Sequence, residues 1–444
     1  MKKLTLLFFL IFTSSTMSAQ NFWSLKDCIT YGLKFSKNNL IADNNIKLAE
    51  AISKESRAAY LPSITLNGSL DNNLKVQESI IPAGVIGPDE MRVSFTKKFS
   101  STATILLDQV IYDRSLLVGL KANRINKQSA EISMQRSEEL LIYNISSAYY
   151  QVMVYRQQVA QLKLTQEIYN QQIKILQVQV QKGVTLQADV DKVKVSLNNT
   201  MSQTSLAENN LFVSENQLKN TMGLSIDSAI HVEEIRAEIE KEAITTSINV
   251  PRFEANNRTD YQLSQLDYKL LEIEEKKIKA SALPRLKAYA QYGYNGFGDQ
   301  LSPALNDLNS FSTIGLKISV PVFDLFKRNA LAGQAKYKRL NASQNIKMDQ
   351  DRFLMEFENA KTKLIKSQHN LQNDKSNVAL ARSVFSVADL QFKKGVTGLI
   401  DWLNAQTSLK EAENNYLISL YSSFMAKIEL EKANGSLKTF HNSL

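Results

Sequence analysis

The tetrapeptide KGVT stands at residues 182–185 and again at 394–397, each time interrupting a long stretch that holds no proline. Working outward from the two copies, the same landmarks recur in the same order. Upstream, a run of helical pattern (IADNNIKLAEAISKESRAAY, 41–60) meets LPSITLNGSL (61–70), and a second (LSQLDYKLLEIEEKKIKASA, 263–282) meets LPRLKAYAQYGYNG (283–296). Leu-Pro ends the helix both times, because proline lacks the amide donor and disfavours helix at the residue before it. Next come QVIYDR (109–114) and VPVFDL (320–325), apolar stretches that close on an aromatic-Asp pair. After each KGVT a further helical run carries an Asn pair, Asn198-Asn199 or Asn414-Asn415, and stops at Gly223 or Gly435. Shared order of this kind marks an internal duplication. Its period of roughly 210–220 residues is far too long for a small-repeat solenoid. The expected organisation is a first repeat over 21–223, a connecting segment over 224–259, a second repeat over 260–435 and a tail over 436–444.

The run before the first KGVT sets the architecture. Between 115 and 181 there is no proline and only Gly119, while apolar residues recur at threes and fours, among them Ile125, Ile132, Ile145, Tyr149, Val152, Val159 and Leu176. At ~1.5 Å per residue such a run reaches roughly 100 Å, which calls for coiled-coil neighbours rather than a globular core. The return run starts directly after KGVT, so the pair folds back as an antiparallel helical hairpin, and KGVT is the turn at its far tip. Gly183 and Gly395 are expected to end the outgoing helix in a left-handed conformation. Thr185 and Thr397 are candidate N-caps of the return helix. Asp189 and Asp401 fall in or near its first turn, where the helix dipole favours negative charge.

Between Leu-Pro and aromatic-Asp the period changes to two. Leu286, Ala288, Ala290, Tyr292 and Tyr294 alternate with Lys287, Tyr289, Gln291 and Gly293, and Ile314, Leu316, Ile318, Val320 and Val322 alternate with Gly315, Lys317, Ser319 and Pro321. Ile64, Leu66 and Leu70 repeat the pattern in the first half, whereas ATILLDQVIY (103–112) loses strict alternation at Leu106-Leu107. Each half therefore holds one β-hairpin with an apolar and a polar face, its strands about ten residues long, enough to cross a bilayer when tilted. Aromatic residues (Tyr60, Phe95, Phe99, Tyr292, Tyr294, Phe297, Phe311, Phe323) gather near the strand ends, where an interfacial girdle would lie. Four strands cannot close a membrane barrel alone, so several chains would have to pool them; two would supply eight and three twelve. The segment VQESIIPAGVIGPDEMR (76–92) is expected to be a longer loop.

Composition narrows the function. MKKLTLLFFLIFTSSTMSAQ (1–20) has the basic start, apolar core and small-residue end of a secretory signal peptide. Cys28 is the sole cysteine, so no disulfide forms within the chain, and the three histidines are scattered without metal-ligand spacing. No phosphate loop, nucleophile elbow or paired-carboxylate motif stands out, so the chain is not expected to be an enzyme or to hold a metal or cofactor. The +9 net charge is spread along helical runs rather than gathered in a stripe, so no nucleic-acid partner is expected.

Across essentially the whole chain after residue 20, these features resemble the TolC-type outer-membrane efflux proteins. The resemblance is carried by WSLKDCITYGLKFSKNNLIADNNIKLAEAISKESRAAYLPSITLNGS, by NNRTDYQLSQLDYKLLEIEEKKIKASALPRL, by VPVFD before the long helix, and by the repeated KGVT tips. It implies a mainly α fold with a membrane β-barrel: tandem-duplicated helical hairpins and two β-hairpins per chain, assembled as a homotrimer with a twelve-stranded barrel in outer-membrane lipid and an α-helical tunnel in the periplasm. It also implies a passive exit duct of a tripartite efflux or type I secretion system, whose partners are a periplasmic adaptor and an inner-membrane pump. By position, the tips Lys182, Gly183, Val184, Thr185 and Lys394, Gly395, Val396, Thr397 would dock the adaptor. Drug-efflux relatives place two aspartates three residues apart inside the closed entrance. TGLIDWLNAQ matches with Asp401 in the first place but Asn404 in the second, so strong divalent-cation blockade is not implied, and Asp189 is the first-half counterpart of Asp401. Thr397 stands where some relatives carry an arginine that ties the hairpins shut. A periplasmic adaptor would have one helical hairpin flanked by compact β-domains, and an exported coiled-coil scaffold would need no period-two segments.

Overall fold

The computed structural model describes residues 22–235, 240, 243 and 252–444. The expected signal peptide and part of the segment 224–259 lie outside them. The helices are α1 (Leu25–Phe35), α2 (Lys37–Ala58), α3 (Arg114–Gly119), α4 (Lys121–Gln181), α5 (Gln187–Met222), α6 (Thr259–Ala280), α7 (Leu301–Asn306), α8 (Lys327–Lys393), α9 (Leu399–Asn434) and α10 (Leu437–Ser443). The strands are β1 (Ser63–Asn72), β2 (Glu78–Ile81), β3 (Met91–Ser94), β4 (Phe99–Tyr112), β5 (Arg285–Gly298) and β6 (Leu308–Ser319). The return helices α5 and α9 have the same length, 36 residues, and the outgoing ones have 61 and 67. In the first half a short α3 precedes the long helix, the break falling after Gly119 at Leu120. Helix is interrupted there because glycine holds the helical conformation weakly. None of the helices in the described residues is long and apolar enough to cross a membrane.

The chain divides into two compact units that each draw on both sequence halves. One contains Gln135–Arg258, Asp351–Leu444 and the residues up to Ile41; the other contains Ala42–Met134 and Thr259–Gln350.

The second unit is built on an antiparallel sheet in the order β1-β4-β5-β6. Register pairs Leu66 with Ile105, Ile105 with Tyr292, Ala290 with Ile314 and Ala288 with Leu316. Directly opposite residues share a face, so one side of the sheet collects Ile64, Leu66, Leu107, Tyr292, Ile314 and Leu316. The other collects Thr65, Asn67, Thr104, Gln291, Thr313 and Lys317. The irregular strand keeps its register through Leu106 and Leu107. It breaks instead at Ile111, a bulge between the Val110–Lys287 and Tyr112–Leu286 pairs. The Tyr60 hydroxyl donates to the Ile111 carbonyl at 2.9 Å, satisfying a group near that irregularity. Two features differ from the sequence reading. The connection expected as a longer loop over 76–92 carries a short hairpin, β2 pairing with β3 from Glu78–Ser94 to Ile81–Met91, that ends two residues beyond it. Phe297 and Phe311 stand on the polar face by register, so the aromatic residues do not all belong to one girdle.

Outside the strands, α6 and α8 are tied by Glu275. It accepts from Arg339 at 2.8 Å and Lys279 at 2.6 Å, and its side chain is 9% exposed. Its carboxyl is held down at about 2, first by the Lys279 bond and then by Arg339.

In the first unit the largest core joins α1, α4, α5, α9 and α10 through Ile29, Ile145, Val152, Leu218, Leu420 and Phe440. The tail therefore has a packing role, with Leu437 and Phe440 buried. Cys28 is fully buried there, and burial pushes its thiol up to about 12, so it is an inert core residue. Within each hairpin, interhelical ion pairs bridge the two arms: Arg156–Glu215 (2.8 Å) and Lys163–Glu208 (2.7 Å) in the first, Lys363–Glu429 (2.6 Å) and Arg382–Glu413 (2.9 Å) in the second.

Candidate functional site: the paired helical tips

The two KGVT turns have the same backbone. Gly183 (φ +70°) and Gly395 (φ +71°) are left-handed. Their amides donate to Val180 and Phe392, and the next residues, Val184 and Val396, donate back to Gln179 and Gln391 at 2.9 Å. These two crossed bonds form a Schellman termination, which satisfies carbonyls that the helix end leaves unpaired. Val184 and Val396 are each 72% exposed, so both tips present lysine and an uncovered valine side by side.

The threonines differ from expectation. The N-cap positions belong to Leu186 and Gly398, neither of which makes a side-chain cap bond. Thr185 and Thr397 sit one residue earlier and donate instead to Asp189 (2.9 Å) and Asp401 (2.8 Å), three residues into the cap. The Schellman turn uses the residues directly after the helix, and this moves the threonine hydroxyl off the first-turn amides and onto the aspartate.

The aspartates themselves are not equivalent. Asp189 also accepts from Lys192 at 3.0 Å, and that bond, with Thr185, holds its carboxyl below the usual carboxylate range. Asp401 is exposed and bonds to Thr397. Asn404, one turn later, is exposed on the same helix. The lysine next to Asp189 comes from the first-half position that matches Asn404, so behind identical turns the first hairpin carries an ion-paired aspartate and the second an aspartate with a neutral amide.

What holds the tips together was not singled out in the sequence. Trp402, directly after Asp401, is fully buried in a cluster with Tyr169, Ile173 and Leu176 of α4, Val190 and Val193 of α5, and Phe385 and Phe392 of α8. Its ring centroid lies 6.0 Å from Tyr169, 5.8 Å from Phe385 and 6.4 Å from Phe392. The indole Nε1 donates to Asp389 Oδ1 at 3.0 Å, and Lys393 holds the other carboxylate oxygen at 2.6 Å. One tryptophan thus fastens the second hairpin to the first. The stripe Leu399, Trp402, Leu403, Gln406, Leu409 in the sequence, at helical spacing, was the available signal.

Above the tips, α4, α5 and α9 line a cleft of about 550 Å³ with amides, among them Gln158, Gln161, Gln203, Asn210 and Asn414, beside Lys410, Glu411 and Glu413. Gln158 Nε2 donates to Asn414 Oδ1 at 3.1 Å across it. This gives the second-half asparagine pair a role in joining the hairpins.

A family model described as outer membrane efflux protein matches residues 41–224 and 276–436. Outer membrane protein TolC of Vibrio cholerae serotype O1 is 20% identical over 384 residues, covering 86% of this chain and 84% of the relative. The same protein of Escherichia coli (strain K12) is 20% identical over 349 residues, 76% of this chain and 70% of its own length. Among solved structures, the transmembrane channel protein CusC superposes with a TM-score of 0.74 at 16% identity, covering 92% of this chain and 91% of the other. VceC, an outer membrane protein of Vibrio cholerae, superposes at 0.71 with 16% identity, covering 93% and 96%. The duplicated hairpins, the two-faced sheet and a family match over more than half its length give one conclusion: the chain belongs to the outer membrane efflux protein family.

Proposed function

We propose that the protein is the outer-membrane exit duct of a tripartite efflux or type I secretion system, passively conducting substrates that an inner-membrane pump delivers through a periplasmic adaptor. The observation that carries this reading is the four-stranded sheet: one face apolar, the other polar, and the outer edges of β1 and β6 unpaired among the described residues. Ile64, Leu66, Ile314, Leu316 and Ile318 are each at least 69% exposed. In water such a surface is an aggregation hazard; in a bilayer it is a lipid face. Open edges are not tolerated in hydrocarbon, so copies of the chain must join β6 of one to β1 of the next. Three copies, as in the TolC-type resemblance, give twelve strands with the polar face lining the bore.

The helical hairpins then form the periplasmic tunnel. Its tips, Lys182–Thr185 and Lys394–Thr397, dock the adaptor through the exposed valines and the lysines beside them. Three copies of Asp401 form a carboxylate ring inside the entrance, with Asn404 as a neutral ring one turn deeper. Rings of this kind select for cations.

The test is the mass of detergent-extracted protein from separated outer membranes. A particle of three chains in that fraction is expected. A monomer in the soluble periplasmic fraction would remove the duct reading.

A further inference from the structure

The connection from β5 to β6 does not project freely from the strand ends. Helix α7 folds back onto the sheet, and the side it covers is the apolar one. By register Ser101, Gly296 and Gly298 belong to the same face as Ile105, Tyr292 and Ile314. The Ser101 hydroxyl donates to the Ala304 carbonyl, and Ala304 is fully buried. A Cβ on Gly296 would strike the Ala304 carbonyl, and one on Gly298 would lie 2.9 Å from Pro303 Cβ. The two glycines are therefore the bed on which the helix rests. Leu301 is 45% exposed and Leu305 47%, as is Leu308, which pairs with Gly296 at the start of β6 and reaches over it.

We infer that α7 is an interfacial lipid anchor, its Leu301 and Leu305 inserted among the outer-leaflet acyl chains at the end of the barrel remote from the helices. The inference rests on the proposed membrane barrel and goes beyond it. In any such barrel the apolar face points outward in every copy. A neighbouring copy pairs in the plane of the sheet at β1 or β6, whereas α7 lies against β4 and β5, the two inner strands. A second copy therefore does not reach it, and lipid is the occupant the geometry leaves. The depth agrees. Gly296 is ten residues along β5 from Leu286, and at ~3.3 Å per residue with a tilt of about 40° this is about 25 Å, the height of the apolar band of such barrels. Tyr292 and Tyr294 stand just below on the same face, their rings 5.6 Å apart and hydroxyls 2.9 Å apart, as amphipathic rings do at a headgroup boundary.

The anchor is tested by site-directed fluorescence in the full-length protein reconstituted into phosphatidylcholine vesicles. Native Cys28 is fully buried with its thiol near 12, so wild type serves as the unlabelled control. Leu305→Cys, Leu316→Cys and Asn67→Cys each carry an environment-sensitive dye and are quenched by lipids spin-labelled near the headgroup or deep in the chain. The label at 305 is expected to lose most of its emission to the shallow quencher and less to the deep one. The label at 316 should show the reverse order, and that at 67, on the polar face, neither. No quenching at 305 while 316 is quenched would overturn the anchor and leave the barrel standing. No quenching at either site would remove the barrel reading itself, and the anchor with it.

Discussion

At the scale of single residues, the glycines divide by what surrounds them. Gly183 and Gly395 have left-handed backbones and open space where a Cβ would go, while a Cβ on Gly435 would meet the Asn257 carbonyl at 2.5 Å. Gly183→Ala and Gly395→Ala should therefore cost only the backbone strain, about 1 kcal/mol each. Gly435→Ala should cost clearly more, because backbone must move. Urea unfolding of the three variants, compared at one temperature, checks the order. Trp402 is the opposite kind of position, filled rather than empty. Trp402→Ala should lose about 3–5 kcal/mol through the cavity and leave Asp389 without its indole donor. Trp402→Phe, which keeps much of the volume, should lose less. If the tips rest closed, the alanine variant should also raise single-channel conductance in planar bilayers.

Among the elements, the link between α6 and α8 predicts a pH response. Glu275 is depressed to about 2 by Lys279 and Arg339, below the ~4.3 of an unfolded glutamate. A depressed carboxylate contributes stability that is complete above the unfolded value and disappears as pH falls through the folded one. Wild type should accordingly lose thermal stability between about pH 4.5 and 2. Glu275→Gln should be less stable at neutral pH and flatter across that window, and melting curves at stepped pH read both. The sheet supplies a second element-scale expectation. Leu316→Arg, on the apolar face, should cost about 2–4 kcal/mol in vesicles, whereas Thr313→Arg, on the polar face, should cost far less. Equal penalties in reversible urea unfolding from vesicles would contradict the assignment of faces.

For the whole molecule, the unpaired edges and the uncompensated Asp401 carry the argument. Asp189 has Lys192 beside it, but Asp401 has only the Thr397 hydroxyl among the bonds described. On the proposed threefold duct the second hairpin would contribute the net negative ring. Asp401→Asn should reduce cation selectivity, read as a shift of reversal potential toward zero in a salt gradient. Asp189→Asn should shift it much less, since that carboxylate is already neutralised locally.

Periodicity alone determined a large part of this protein. The change from period 3.6 to period two at each Leu-Pro, and back at each aromatic-Asp, marked the long helices, the four strands and their apolar face, because local backbone geometry dictates which side chains share a side. The KGVT turns were legible for the same reason: glycine is the residue that accepts a left-handed backbone at a helix end. Other features depended on contacts between distant segments. The sequence marks Thr185 and Thr397 as caps, yet their hydroxyls go to Asp189 and Asp401, since the Schellman bonds decide where the chain turns. Nothing in its local spacing distinguishes Trp402 from another apolar position of α9; α4, α5 and α8 meet around it only in the folded chain. Pairing in the loop 76–92 and the folding of α7 onto Gly296 and Gly298 were invisible, because strand pairing and surface docking are set by residues far apart in sequence. Propensity is local and was readable in the chain; which surfaces meet is a property of tertiary packing and was decided only there.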